Sequence, residues 1–267
     1  MLFPWYIKPA LELALLKTFC MPSISGLLHQ TGEFEQRPRK RYDDTALIVA
    51  ELVRLGPDTP QGQAVIQRLN RIHGAYTIRQ SDYSYVLSGF VAEPIRWIER
   101  YGWRALTPVE QEALFLFWDH VGLLMHIEQR PRNLPELMDL NERANGELFA
   151  YSVSNQRVAD ATVTMLLEPW PAPLHRWLRS IVCSLLEPDT LNSLNWPTAP
   201  AWQKESLRAV LHCRSRILSI LRRVWVPKRR RFFSERPTTS YGKHFTLKQI
   251  GPPSLLRSLN STTRHDD

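Results

Sequence analysis

An all-α fold is what this sequence predicts, and three observations predict it. Apolar residues recur at helical spacing almost throughout. No stretch sustains the alternation of a strand. Thr-Pro starts and glycine stops punctuate the periodic segments. No internal repeat interrupts this pattern. The 267 residues suffice for one large or two small domains with a substantial core.

The N-terminal stretch 1–28 is apolar but carries Lys8, Glu12 and Lys17, with Pro4, Pro9 and Pro22. It is a poor membrane span and a poor signal peptide. A helix over 10–19, packed on the core or lying on a membrane surface, fits better, with a second short helix after Pro22 reaching Gly32. Residues 33–44 are polar and basic and read as a loop or the start of a helix. Asp44 is suited to cap a helix beginning at Thr45, whose apolar set Ala46, Leu47, Val49, Ala50, Leu52 and Val53 ends at Gly56-Pro57. Thr59 is an N-cap with Pro60 in the first helical position, and that helix runs to His73, with Gly74 as its C′ glycine. A helix over 81–101 is predicted with a kink at Pro94. Thr107-Pro108-Val109-Glu110 forms a capping box and opens a helix through Met125. Helices near 135–150, 155–168, 172–186 and 201–225 complete the set, with turns at Trp170–Pro173 and Trp196–Pro200. The chain thus divides into an apolar segment 1–24, a helical domain 25–226 and a basic, partly extended tail 227–267.

The net charge of +8 is unevenly placed, because residues 222–231 alone supply six cations, interleaved with Trp225 and followed by Phe232 and Phe233. That run reads as a solvated tail or as a peripheral contact with anionic lipid; nucleic acid is not expected as a partner. Cys20, Cys183 and Cys213 are far apart and odd in number. They make neither a disulfide framework nor a metal-type pair and suit a reducing, cytoplasmic compartment.

Among the histidines, His73 stands out by position. It shares a helix face with Ile66 and Leu69 and emerges beside a core-facing surface at the last turn. There the helix dipole favours a cationic ring, whereas a metal ligand must be neutral. By this reading alone it is a capping or core residue rather than a ligand. Arg41 and Thr45 lie four apart, so in a helix they face the same way and can hold an oxygen or a carboxylate between them. The plainer alternative is that Arg41 pairs with Asp43 or Asp44 and the rest is solvated. The chain has no His-Glu-x-x-His, Gly-x-Ser-x-Gly, P-loop or Gly-x-Gly-x-x-Gly, which argues against the commonest zinc, hydrolase, nucleotide and dinucleotide chemistries.

Four blocks in order carry a resemblance: Thr31-Gly-Glu-Phe34, Arg39-Lys-Arg41-Tyr-Asp-Asp-Thr45, Asn70-Arg-Ile-His73-Gly74, and Phe90-Val-Ala-Glu93-Pro94-Ile-Arg-Trp97. Over roughly 25–200 the chain resembles the MpaB and rubber-oxygenase (latex-clearing protein) family. That resemblance implies a single globin-like multi-helix domain with a non-covalent haem b. It implies His73 as the proximal iron ligand, with Arg41 and Thr45 as the arginine–threonine pair beside the haem. The family also uses a distal carboxylate as a base; Glu33 and Glu35 are nearby, and the resemblance does not single out either. The expected function is a haem-dependent oxygenase that joins molecular oxygen to an apolar, isoprenoid- or lipid-like substrate. The alternatives are a haem dehydrogenase or peroxidase of the same fold, and a non-enzymatic helical protein that docks on membranes.

Overall fold

The structure, a computed structural model, describes residues 4–224 and 232–256, with side chains described from Tyr6 to Leu221 in the first stretch. Among the described residues there are twelve α-helices, three 3-10 turns and no strand. The helices are α1 (Pro4–Thr18), α2 (Pro22–Thr31), α3 (Glu33–Gln36), α4 (Pro38–Leu55), α5 (Pro60–His73) and α6 (Gln80–Tyr101). They continue as α7 (Pro108–Leu124), α8 (Leu134–Glu147), α9 (Val153–Leu167), α10 (His175–Leu185), α11 (Pro188–Ser193) and α12 (Ala201–Val224).

α6 is the central element. α1 lies along it, and α7 and α8 pack on it too. Gly89 faces Ala14 of α1, and a Cβ there would meet the Ala14 Cβ at 3.6 Å, an ordinary van der Waals contact. Around α6 and α4 the core gathers Leu47, Val91, Trp118 and Ile127, while Phe19, Val158 and Leu191 centre a second cluster between α1, α9 and α11. No single described helix is long and apolar enough to cross a membrane; α1 and α2 would pass that test only as a pair bent by 94°.

Local start signals hold where they were strongest. Thr59 accepts the Gly62 N–H at 3.0 Å at the start of α5. Gly62 is required there, because a Cβ would lie 1.9 Å from the Gly56 carbonyl oxygen. Thr107 and Glu110 form the reciprocal capping box of α7. Three expectations need correction. Asp44 caps nothing: α4 begins at Pro38, straight after α3, with the Arg37 N–H bonded to the Glu33 carbonyl at 3.0 Å. Gly74 ends α5 in a right-handed conformation, φ −62°, because the chain leaves through tight turns from Ile72 and His73 rather than through a left-handed cap. α11 was not foreseen; it is only six residues long and is held by the burial of Leu191.

Residues 232–256 form a strap over α4 and α5. Its two 3-10 turns pack on these helices, and Ile250 is fully buried among their side chains. Asp43 accepts hydrogen bonds from the Ser240 N–H (3.1 Å) and hydroxyl (2.7 Å), and the Tyr241 hydroxyl donates to Asp44. Lys40 donates to the Tyr241 hydroxyl and to the Gly251 carbonyl, both at 2.8 Å. From α5, Arg68 donates to the carbonyls of Ile250 (2.9 Å) and Lys248 (3.0 Å). The cationic side chains of the 222–231 run lie outside the described residues, as do 257–267.

Candidate functional site

α4 has two working faces. Lys40, Asp43 and Asp44 face the strap, which rules out the pairing of Arg41 with either carboxylate in the simple surface sense. Arg41 instead donates to the Thr45 hydroxyl, which donates in turn to the Arg41 carbonyl at 3.2 Å. The pair predicted from its spacing is therefore formed. The Arg41 guanidinium also lies over the ring of Phe34, 4.9 Å from its centroid. Burial lowers the pKa of Arg41, against the opposing pull of Asp44, Tyr76 and Glu33. It remains a cation, because a guanidinium does not lose its proton in proteins.

His73 comes from the last turn of α5. Burial, and then the charge of Arg41, push its pKa down to about 4. The dipole of α5 pulls the other way, and at one helix terminus it is the weaker effect. The imidazole is thus neutral at ordinary pH and keeps a free lone pair. Its Nδ1 is sealed from solvent and has no hydrogen-bond partner. The ring of Tyr83 stands 5.5 Å away, centroid to centroid, tilted by 58°. Asn70, one turn back, donates to the Leu124 carbonyl at 3.0 Å and ties this end of α5 to the end of α7.

Glu33 and Glu35 separate clearly. Glu33 is buried, accepts from Arg37 at 2.7 and 3.0 Å, and contributes to the field at Arg41 and Tyr76. Glu35 turns away and pairs with His29. Phe34, Tyr76 and Tyr83 complete the neighbourhood. Spacing did not single them out; Phe34 alone had a signal, lying in the first of the four blocks.

The arrangement offers one neutral imidazole, one desolvated cation, one hydroxyl and aromatic faces. Among the described residues no three His, Cys, Asp or Glu side chains converge on a common metal position. A metal at this site would find a single protein ligand here, so the group to test for fit is one that a prosthetic ring would hold. The unpartnered Nδ1 and the neutral ring fit that role, and Arg41 with Thr45 fits an oxygen-bearing group of such a ring.

Comparison with known proteins gives a consistent picture. Residues 10–216 match the family described as ER-bound oxygenase mpaB/B'/Rubber oxygenase, catalytic domain. The ER-bound oxygenase mpaB of Penicillium brevicompactum is 33% identical over 126 residues, which is 45% of this chain and 32% of that protein. The mpaB' protein of the same organism is 33% identical over 126 residues, 45% of this chain and 30% of its own length. The mpaB protein of Penicillium roqueforti (strain FM164) is 32% identical over 126 residues, 45% of this chain and 42% of its own. The matched stretch therefore spans less than half the length of these relatives. With four-fifths of the chain inside the family match, this protein belongs to the MpaB/rubber oxygenase catalytic-domain family.

Proposed function

We propose that the protein is a haem-dependent oxygenase of an apolar, isoprenoid- or lipid-like substrate, with His73 as the proximal iron ligand. The observation that carries this is the neutral imidazole of His73, with its Nδ1 buried and unpartnered beside the Arg41–Thr45 pair, in a chain of an oxygenase family. Haem b, when bound, supplies the redox chemistry of dioxygen.

The chain's own residues do the rest. His73 gives a lone pair that burial and Arg41 keep free of a proton. Arg41 stabilises negative charge, either on a propionate or on an oxygen that develops charge, and it does so strongly because it is desolvated. Thr45 fixes the guanidinium and adds a hydroxyl. Phe34 and Tyr83 limit water around the imidazole and the cation. Glu33, buried and accepting two hydrogen bonds from Arg37, is the carboxylate we assign as the base. Peripheral membrane contact belongs to the same proposal, since the relatives are ER-bound oxygenases.

The test is spectroscopic. Protein reconstituted with haemin is expected to show a Soret band that shifts on reduction. Full haem content and an unchanged spectrum in His73→Ala would overturn the ligand assignment. Oxygen uptake on addition of a polyisoprenoid alkene separates an oxygenase from a dehydrogenase or peroxidase of the same fold. A protein that takes up no haem at all is a helical docking protein instead.

A further inference from the structure

α12 carries more apolar surface than the core uses. Its inward side is accounted for: Leu211 and Leu218 pack beside Tyr6 and Trp97, Gln203 accepts from the Ser180 hydroxyl at 2.7 Å, and the Ser215 hydroxyl donates to the Gly102 carbonyl. A second apolar stripe faces outward. Trp202, Val210, Ile217, Ile220 and Leu221 are 67, 63, 51, 62 and 50% exposed. At 3.6 residues per turn they fall within an arc of about 100°, the width of an apolar face that normally meets a partner.

Charge decides which partner. α12 carries six cations, Lys204, Arg208, Arg214, Arg216, Arg222 and Arg223, against the single carboxylate Glu205. On the helical wheel Arg214 and Arg216 border the stripe on opposite sides. In sequence the helix leads directly into Lys228-Arg-Arg-Arg231. A second copy meeting this face would bring two such sets of cations together. An anionic surface has no such penalty. α10, packed against α12, and the turn before it add exposed Trp177, Trp170 and Leu174. Tryptophan beside arginine suits the headgroup layer, where an indole is half in apolar surroundings and a guanidinium reaches back to phosphate.

We propose that this face docks on an anionic phospholipid bilayer, with α12 lying in the headgroup plane and Trp202, Val210, Ile217 and Ile220 inserted. This gives a surface to the membrane contact in the reading above. It does not depend on haem, so its failure would leave the His73 assignment standing.

The experiment is co-sedimentation of the full chain with vesicles of phosphatidylcholine alone and of phosphatidylcholine mixed with phosphatidylserine. Binding is expected to the mixed vesicles and to weaken with salt. The triple variant Trp202→Ser/Ile217→Ser/Ile220→Ser is expected to bind on the order of tenfold more weakly, and Arg208→Gln/Arg216→Gln several-fold more weakly, both with unchanged helical circular dichroism. Cys213 is exposed within the apolar arc, whereas Cys20 and Cys183 are buried, so an environment-sensitive fluorophore on Cys213 reports on this face directly. Its emission is expected to shift to the blue on mixed vesicles. Three results overturn the proposal: no vesicle binding, binding with no shift at Cys213 (the basic run adhering alone), or a dimer in solution that the triple variant dissociates.

Discussion

Two of the buried polar clusters among the described residues are built differently. In the first, Lys17 of α1 bonds Glu93 of α6 at 2.9 Å and Glu187, which precedes α11, at 2.7 Å. Arg96 adds a second cation to Glu93 at 3.0 Å and donates to Asn141 of α8, which donates to Ser88 at 2.9 Å. Each charge has an opposite charge, and the network joins four elements. In the second cluster Arg41 reaches Thr45 and the face of Phe34, and the Nδ1 of His73 reaches nothing. A buried polar atom without a partner costs about 1–3 kcal/mol. The first cluster is explained by holding the fold together. The second keeps a cost that the fold does not offset, as a binding site does before its ligand arrives. On this comparison the Glu93-Pro94 block belongs to the scaffold, and the proposed site takes the His73 block.

Exchanging the odd atom for carbon draws the comparison most sharply. His73→Leu is expected to lower haem affinity on the order of 100-fold or more, because it removes the proposed ligand. Folding stability is expected to stay level or rise by about 1 kcal/mol, since an unsatisfied nitrogen is removed at similar volume. Haemin titration and a thermal melt measure the two. A large loss of stability would mean that His73 belongs to the scaffold as well.

The converse substitution is Lys17→Met. It leaves Glu93 and Glu187 without their shared cation, and removing one partner of a buried pair costs about 3–5 kcal/mol. The lower end is expected, because Arg96 still serves Glu93 and Glu187 is partly exposed. The melting temperature falls, and haem bound per folded molecule stays the same. Equal losses of both would show that the two clusters are coupled.

Acid should also separate them. Burial pushes the Glu187 carboxyl up, but Lys17, with Arg100 and Arg96, outweighs it and holds the pKa below its ordinary 4.5. The unfolded chain then takes up a proton before the folded one does. The contribution is complete above about pH 4.5 and is lost as pH falls through the lower folded value. Wild-type melting temperature is expected to drop along this acid limb. Lys17→Met should flatten it, because the depressing charge is gone. A limb of the same slope in both proteins assigns the acid sensitivity to other groups, among them His73, whose depressed pKa makes the folded state lose stability as pH falls from about 6.5 towards 4.

What the sequence could disclose follows the range of each interaction. The starts of α5 and α7 were legible because a cap acts over three residues. The start of α4 was not. Asp44 looks like a capping residue locally, yet Tyr241, 197 residues away, claims it. The same holds at the site. Arg41 and Thr45 were legible from helical spacing, and His73 from its place among the four blocks. The neutral state of His73 was not, because its own helix end argues for a cation and only tertiary burial reverses that. Glu33 and Glu35 could not be told apart in sequence, since the choice rests on Arg37 and His29 as partners.

The strap makes a polar cluster of its own with Lys40, Asp43 and Asp44, and a change there should be the mildest. Tyr241 is held protonated, first by burial and then by Asp44, so its hydroxyl is a donor to that carboxylate. Tyr241→Phe removes this bond and the acceptor that Lys40 uses at 2.8 Å. Asp44 keeps Lys40 at 2.9 Å and the Gly251 N–H at 3.2 Å, so no charge is stranded. A loss of about 1.5–3 kcal/mol is expected, as for one hydrogen bond to a charged group, and the lower end applies because Asp44 keeps its other partners. It should appear as faster amide exchange over 238–251, with exchange in α6 barely altered. Arg41 and Thr45 lie on the other face of α4, so haem affinity should move less than tenfold. If instead it falls as far as in His73→Leu, the strap sets the position of Arg41, and the carboxylate face of α4 belongs to the site and not to the scaffold.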